Sequence, residues 1–145
     1  MLELKKEKLP VREMIQKAME TLECSYAPYS NFKVAASLLT EDGVIYTGCN
    51  IENAAYSPGN CAERTAFFKA VSEGVREFAA ICIVNEDEKG GHGICPPCGM
   101  CRQVMMEFCR PEEFYIILAA DEAQYEIHTL AELFPMGFGP GSLKG

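Results

Sequence analysis

The sequence predicts an α/β fold in which helices flank a mixed sheet of five strands, in the order αββαβαββα. Three observations carry the prediction. A helical apolar stripe comes first, a hairpin pattern with an Asp-Gly turn follows, and two short, almost wholly apolar runs then alternate with helical segments.

Pro10 suits the first turn of a helix, and Val11, Met14, Ile15, Ala18, Met19 and Leu22 recur at i, i+3, i+4, i+7 spacing on one face. Arg12, Glu13, Gln16, Lys17 and Glu20 form its solvated face. Residues 25–31, with Pro28 between Tyr26 and Tyr29, read as a loop. Lys33 to Thr40 and Val44 to Asn50 flank Glu41-Asp42-Gly43, which predicts two antiparallel strands. A loop over 51–60 containing Pro58-Gly59 leads to a helix over 63–71, with Gly74 as its C-cap. Phe78 to Val84 suits a central strand buried on both faces. The polar, glycine-rich stretch 86–93 leads to a helix from Cys98 to about Cys109, ended by Pro111. Phe114 to Ala119 is a second buried strand, and Gln124 to His128 alternates as an edge strand does. Thr129 caps a short helix through Phe134, which Pro135 closes. Both helices that begin near cysteines follow strands or strand-loops, so their N-termini are expected at one end of the sheet, where ligands gather in α/β folds.

The 145 residues predict a single domain spanning 1–145, with no internal repeat and no long linker. A formal charge of −8 leaves no basic stripe for a phosphate backbone, so a nucleic acid polymer is not expected as a partner. A free nucleoside or base is compatible with it. The first eight residues are charged and lack the apolar run of a signal peptide, and no stretch approaches the ~18 apolar residues of a membrane span, so a cytoplasmic protein with no membrane contact is expected. Eight cysteines without a signal sequence then read as metal ligands and reduced core thiols, with Cys24, Cys49, Cys82 and Cys109 expected to be buried.

The chemistry concentrates in Cys61-Ala62-Glu63-Arg64 and in Pro97-Cys98-Gly99-Met100-Cys101-Arg102-Gln103. Cys98 and Cys101 stand at i, i+3, one face of a helix's first turn, and Cys61 opens another helix. At a helix N-terminus the free N–H groups and the dipole favour thiolate. Three thiolates leave one position of a tetrahedral zinc open for water, as a catalytic metal requires. Glu63, two residues from Cys61, lies beside that position and is assigned the general acid/base role. Cys98-x-x-Cys101 alone also fits a redox pair, and Cys95 or His92 as a fourth ligand would make the zinc structural. Zinc deaminases combine a Cys-x-x-Cys pair, one His or a third Cys, and a Glu that is not a ligand.

On these motifs the chain resembles the cytidine deaminases of the short, all-cysteine type. The resemblance runs from Tyr29-Ser30-Asn31-Phe32 through Gly48-Cys49-Asn50-Ile51-Glu52-Asn53-Ala54 and both cysteine motifs to the stretch Leu133 to Pro140. It implies that family's three-layer fold, one Zn²⁺ per chain, a homotetramer, and a role in pyrimidine salvage. The implied reaction is hydrolytic deamination of cytidine and 2′-deoxycytidine, with zinc-activated water attacking C4 and Glu63 shuttling the proton. It implies further that Arg64 donates hydrogen bonds to ligand sulfurs, that Asn50 and Glu52 meet the sugar, that Phe32 and Ala62 lie beside the substrate, and that Phe138 reaches a neighbouring subunit's pocket. Without the resemblance, Arg64 reads equally as a surface helix residue, Asn50 as a turn former, Glu52 as a solvated charge, Phe32 as core, and Phe138 as docked on its own domain.

Ser57-Pro58-Gly59-Asn60, Ala35 and the long stretch 86–94 depart from the family's usual pattern. They border the expected pocket rather than the metal. A deaminase of another aminopyrimidine, such as blasticidin S, is therefore the second reading, and a non-catalytic zinc-stabilised binding or redox module the third. Arg102, His92 and His128 receive no role.

Overall fold

The strand β1 (Lys33–Thr40) sits between two antiparallel partners, β2 (Ile45–Cys49) and β3 (Phe78–Glu86). This is seen in a computed structural model that describes residues 2–144. β3 pairs parallel with β4 (Tyr115–Ala119), and β4 antiparallel with β5 (Tyr125–Thr129), completing a mixed five-stranded sheet in the order β2-β1-β3-β4-β5. The hairpin forms where Asp42-Gly43 predicts it. Gly43 takes φ +87°, and the Thr40 N–H reaches the Val44 carbonyl at 2.9 Å while the Thr40 hydroxyl accepts from the Val44 N–H at 3.0 Å.

Alternation along the strands sorts their side chains into two cores. Ala36, Leu38, Ile81, Ile83, Ile116 and Leu118 face α3 (Ala62–Ser72), α4 (Gly99–Phe108) and α5 (Leu130–Leu133). Ala35, Leu39, Ala80, Cys82, Val84 and Ile117 face α2 (Val11–Thr21), whose Met14, Ile15 and Ala18 are buried. Helices on both faces make three layers, and strands covered on both faces must be apolar throughout, which is why β3 and β4 read as continuous runs. Ser37 is a buried polar residue in the middle of β1. Its hydroxyl donates to the Met14 carbonyl at 2.7 Å, fixing α2 to the sheet.

The predicted elements are present, with Pro10 preceding α2 and Cys61 and Cys98 preceding α3 and α4. Thr129 caps α5 through a complete capping box with Glu132. Two short helices were not foreseen, α1 (Leu2–Glu7) and α6 (Pro140–Lys144). One burial expectation is corrected. Cys49 and Cys82 are buried and Cys109 is half-buried, but Cys24 is exposed, because α2 ends in a tight 3₁₀ turn (Leu22–Cys24) that buries Leu22 and turns Cys24 outward. Among the described residues no helix is long and apolar enough to cross a membrane.

Candidate active site

Three sulfurs converge where the N-termini of α3 and α4 meet. Cys61 and Cys98 occupy the N-cap positions in extended backbone conformation, and neither side chain caps its own helix, so both thiols are free to face a ligand. Their sulfurs are 3.7 Å apart, Cys101 lies 3.4 Å from Cys98, and all three fall within 4.8 Å of one another. Tetrahedral zinc with Zn–S bonds of about 2.3 Å requires sulfur separations of about 3.8 Å, so the set fits the ion with little adjustment. Among the described residues no other His, Cys, Asp or Glu joins the group. Cys95 lines the same cleft but stands outside it.

The thiols are already polarised against one another. A hydrogen bond from Cys101 and the Arg64 guanidinium pull the Cys61 thiol down to about 5 against its burial, while Cys101, as donor to that thiolate, is pushed up. A bound dication would take the place of the proton that this pair retains. Arg64 Nη2 donates to Cys61 Sγ at 3.3 Å, and the guanidinium also bonds Cys101. Its Nε is buried and lacks a partner among the described residues. Glu63, in the first turn of α3, is 4% exposed, and burial followed by the Cys61 thiolate pushes its carboxyl up to about 7, with its own backbone N–H and the Cys101 thiol opposing.

A cleft of about 620 Å³ opens beside the sulfurs, lined by Cys61, Ala62, Glu63 and Cys98 and also by Asn50, Glu52, Tyr29 and Ser30. Backbone hydrogen bonds tie the segments that carry these residues together. Ile51 and Asn60 exchange both N–H···O bonds at 2.9 Å, Glu52 N–H donates to the Tyr26 carbonyl at 2.8 Å, and Tyr26 N–H to the Asn50 carbonyl at 3.0 Å. Asn60 leads directly to Cys61, and its amide reaches Thr65, whose hydroxyl donates to the Cys61 carbonyl at 3.1 Å. Asn50 is held from both sides of its amide: Oδ1 accepts from the Ser25 hydroxyl and from Val34 N–H at 3.0 Å, and Nδ2 donates to the Phe32 carbonyl at 2.8 Å.

The model of the family described as the cytidine and deoxycytidylate deaminase zinc-binding region matches residues 10–118. The chain belongs to this family. It is 48% identical over 136 residues to the cytidine deaminase of Sporosarcina psychrophila, a match covering 94% of this chain and 96% of that one. It is 45% identical over 125 residues to the cytidine deaminase of Halalkalibacterium halodurans, covering 86% and 91%. A solved cytidine deaminase from Burkholderia pseudomallei shares the fold with a TM-score of 0.79 at 45% identity, over 87% of this chain and 97% of that one. The family's zinc-binding designation agrees with the three-thiol set, and the cofactor is one Zn²⁺ per chain.

Of the residues that the resemblance to the cytidine deaminases singles out, Cys61, Cys98, Cys101, Glu63, Arg64 and Ala62 gather around the three sulfurs, and Asn50 and Glu52 line the same cleft. Phe32 and Phe138 do not line the cleft within this chain. Phe32 is half-buried and accepts from the Asn50 amide through its carbonyl, while Val34 is among the residues that line the cleft. Phe138 is 58% exposed, with its carbonyl held by Gln103 Nε2 at 2.7 Å. The sequence reading also missed Arg102, which follows the last thiol and bonds the Pro97 carbonyl at 2.8 Å and the Leu133 carbonyl, clamping the ligand loop to α5. Its position directly after Cys101 was the available signal. Tyr56 was missed as well; it lines the cleft yet is 94% exposed. Both histidines pair with acidic neighbours away from the cleft, His92 with Glu86 at 3.2 Å and His128 with Glu126 at 2.9 Å.

Proposed function

We propose that the protein catalyses the zinc-dependent hydrolytic deamination of cytidine and 2′-deoxycytidine, giving uridine and 2′-deoxyuridine. The observation that carries this is a buried glutamate, Glu63, beside a three-thiol set with no fourth protein ligand among the described residues. Bound zinc supplies a Lewis acid that lets water act as a nucleophile near neutral pH. The Glu63 carboxylate takes a proton from the attacking water and delivers it to ring N3 as C4 becomes tetrahedral; it then takes the proton of the new C4 hydroxyl and passes it to the amine, so that the C4–N bond breaks as the C4 carbonyl forms. Water enters and ammonia leaves. Arg64 offsets the excess negative charge of three thiolates around a dication, which keeps the metal electrophilic.

Ala62 and Val34 offer apolar surface to the base, and Asn50 and Glu52 offer polar atoms to the sugar. The Phe32 carbonyl accepts a hydrogen bond from the Asn50 amide. Met136 and Phe138 stay exposed on the tail, and we read them as part of a homotetramer in which Phe138 completes a neighbour's pocket. Metal-binding thiols suit the reducing cytoplasm, where the reaction serves pyrimidine salvage.

The test follows absorbance of cytidine and 2′-deoxycytidine with zinc-analysed protein, together with released ammonia. One ammonia per nucleoside consumed, at about one zinc per chain, supports the reading. Full zinc occupancy with neither nucleoside consumed contradicts the substrate while leaving the metal centre standing.

A further inference from the structure

We propose that Ser30 is the positioning residue for sugar recognition: the turn around it grips the Glu52 carboxylate so that what remains free on Glu52 accepts a hydrogen bond from a substrate hydroxyl. The inference rests on the nucleoside reading above and adds to it the device that makes Glu52 selective.

Glu52 is on a loop, where a carboxylate would ordinarily swing in solvent. Here it cannot. Its own N–H is anchored to Tyr26, and its side chain meets three donors from one turn. Tyr29 N–H and Ser30 N–H reach Oε1 at 2.9 and 3.2 Å, and the Ser30 hydroxyl donates to Oε2. The turn is shaped for this. Asn31 adopts φ +57°, and its N–H closes on the Ala27 carbonyl at 3.0 Å, so two consecutive N–H groups point the same way. Phe32 N–H donates to Ser30 Oγ at 3.1 Å. That bond occupies a lone pair on the hydroxyl and directs its proton toward Glu52.

A carboxylate offers about four acceptor positions. Three are taken by the turn, which leaves one in the cleft that Ser30 and Glu52 both line. These donors also hold the carboxyl below its usual range, the Ser30 hydroxyl contributing most, so Glu52 stays ionised and presents an acceptor and no donor. A sugar hydroxyl, which can donate, is the partner that such a group selects. Asn50 is locked in parallel by Ser25, Val34 and Phe32, so both polar groups are fixed before substrate arrives.

The experiment compares zinc-loaded wild type, Ser30→Ala, Ser30→Thr, Glu52→Gln and the Ser30→Ala/Glu52→Gln double variant on cytidine and on 2′,3′-dideoxycytidine, which lacks both ring hydroxyls. Melting temperature and zinc content are measured in parallel. The proposal expects Ser30→Ala to raise KM for cytidine about tenfold with kcat nearly unchanged, to leave KM for the dideoxy substrate unaltered, and to add little once Glu52 is Gln. Ser30→Thr restores the cytidine KM because the hydroxyl returns. An equal rise for both substrates marks Ser30 as merely structural and overturns the proposal. So does an unchanged KM in Ser30→Ala alongside a raised cytidine KM in Glu52→Gln. If Glu52→Gln itself leaves the cytidine KM unmoved, the sugar-binding reading of Glu52 fails, and the proposal with it.

Discussion

Gly48 of β2 lies directly against Ala66 of α3: a Cβ on Gly48 would come 2.5 Å from the Ala66 nitrogen and 2.5 Å from the Ala62 carbonyl oxygen. The obstruction is backbone, which cannot turn aside as a side chain does. Glycine is therefore what lets the helix bearing Glu63 and Arg64 sit down on the sheet.

Gly48→Ala is expected to push α3 off β2. Overpacking of this kind costs about 1–3 kcal/mol. The shift also moves Cys61 relative to Cys98, so the variant should lose zinc to a chelator faster than wild type. Thermal unfolding and chelator competition on the same preparation check both effects.

Arg64→Gln removes the cation that bonds Cys61 and Cys101 while leaving the three sulfurs in place. Turnover should fall by about 10–100-fold with zinc still bound. Steady-state kinetics with zinc analysis distinguish this from loss of the metal.

Cys101→Ala takes away the most buried of the three sulfurs and the partner of both Cys61 and Cys98. Metal binding is coupled to folding through such ligands. The variant should purify with little zinc and a lowered melting temperature, and added zinc should not restore either.

The capping box at α5 gives a pH-dependent contribution to stability. Bonds from the Thr129 N–H and hydroxyl hold the Glu132 carboxyl below its ordinary 4.5. A depressed carboxyl stabilises the fold above its unfolded value and loses that contribution as pH falls through the lowered folded value. Denaturant unfolding of wild type and Glu132→Gln should therefore differ at pH 7 and converge as the solution is acidified below 4.5. Thr129→Ala removes the cap itself and should cost about 1 kcal/mol at pH 7.

Ile81-Cys82-Ile83-Val84 and Ile116-Ile117-Leu118 were legible as central strands because burial on both faces leaves polar residues nowhere to point. The two halves of the candidate metal site were legible because each is local in sequence: Cys98 and Cys101 stand in and just before one helical turn, and Glu63 follows Cys61 on another. What escaped depends on distance along the chain. Nothing near Ser30 in sequence reveals the carboxylate 22 residues away that it grips, and nothing in Arg102 reveals that its guanidinium bends back to Pro97 and across to Leu133. The short helices at the ends were hidden for a different reason. Leu2–Glu7 carries charge at most positions and Pro140–Lys144 begins Pro-Gly, so neither shows a helical apolar period. Cys24 read as buried because its neighbours on α2 are; only the turn that ends that helix decides which way it faces.

The most direct test of the account replaces Glu63 by Gln and follows cytidine absorbance against wild type, with zinc quantified in both. The substitution keeps the size of the buried side chain and removes its ability to carry a proton. The account predicts about one zinc per chain in both proteins and turnover lowered by about 10²–10⁴-fold in the variant. A Glu63→Gln protein that holds its zinc and deaminates cytidine at the wild-type rate would contradict it.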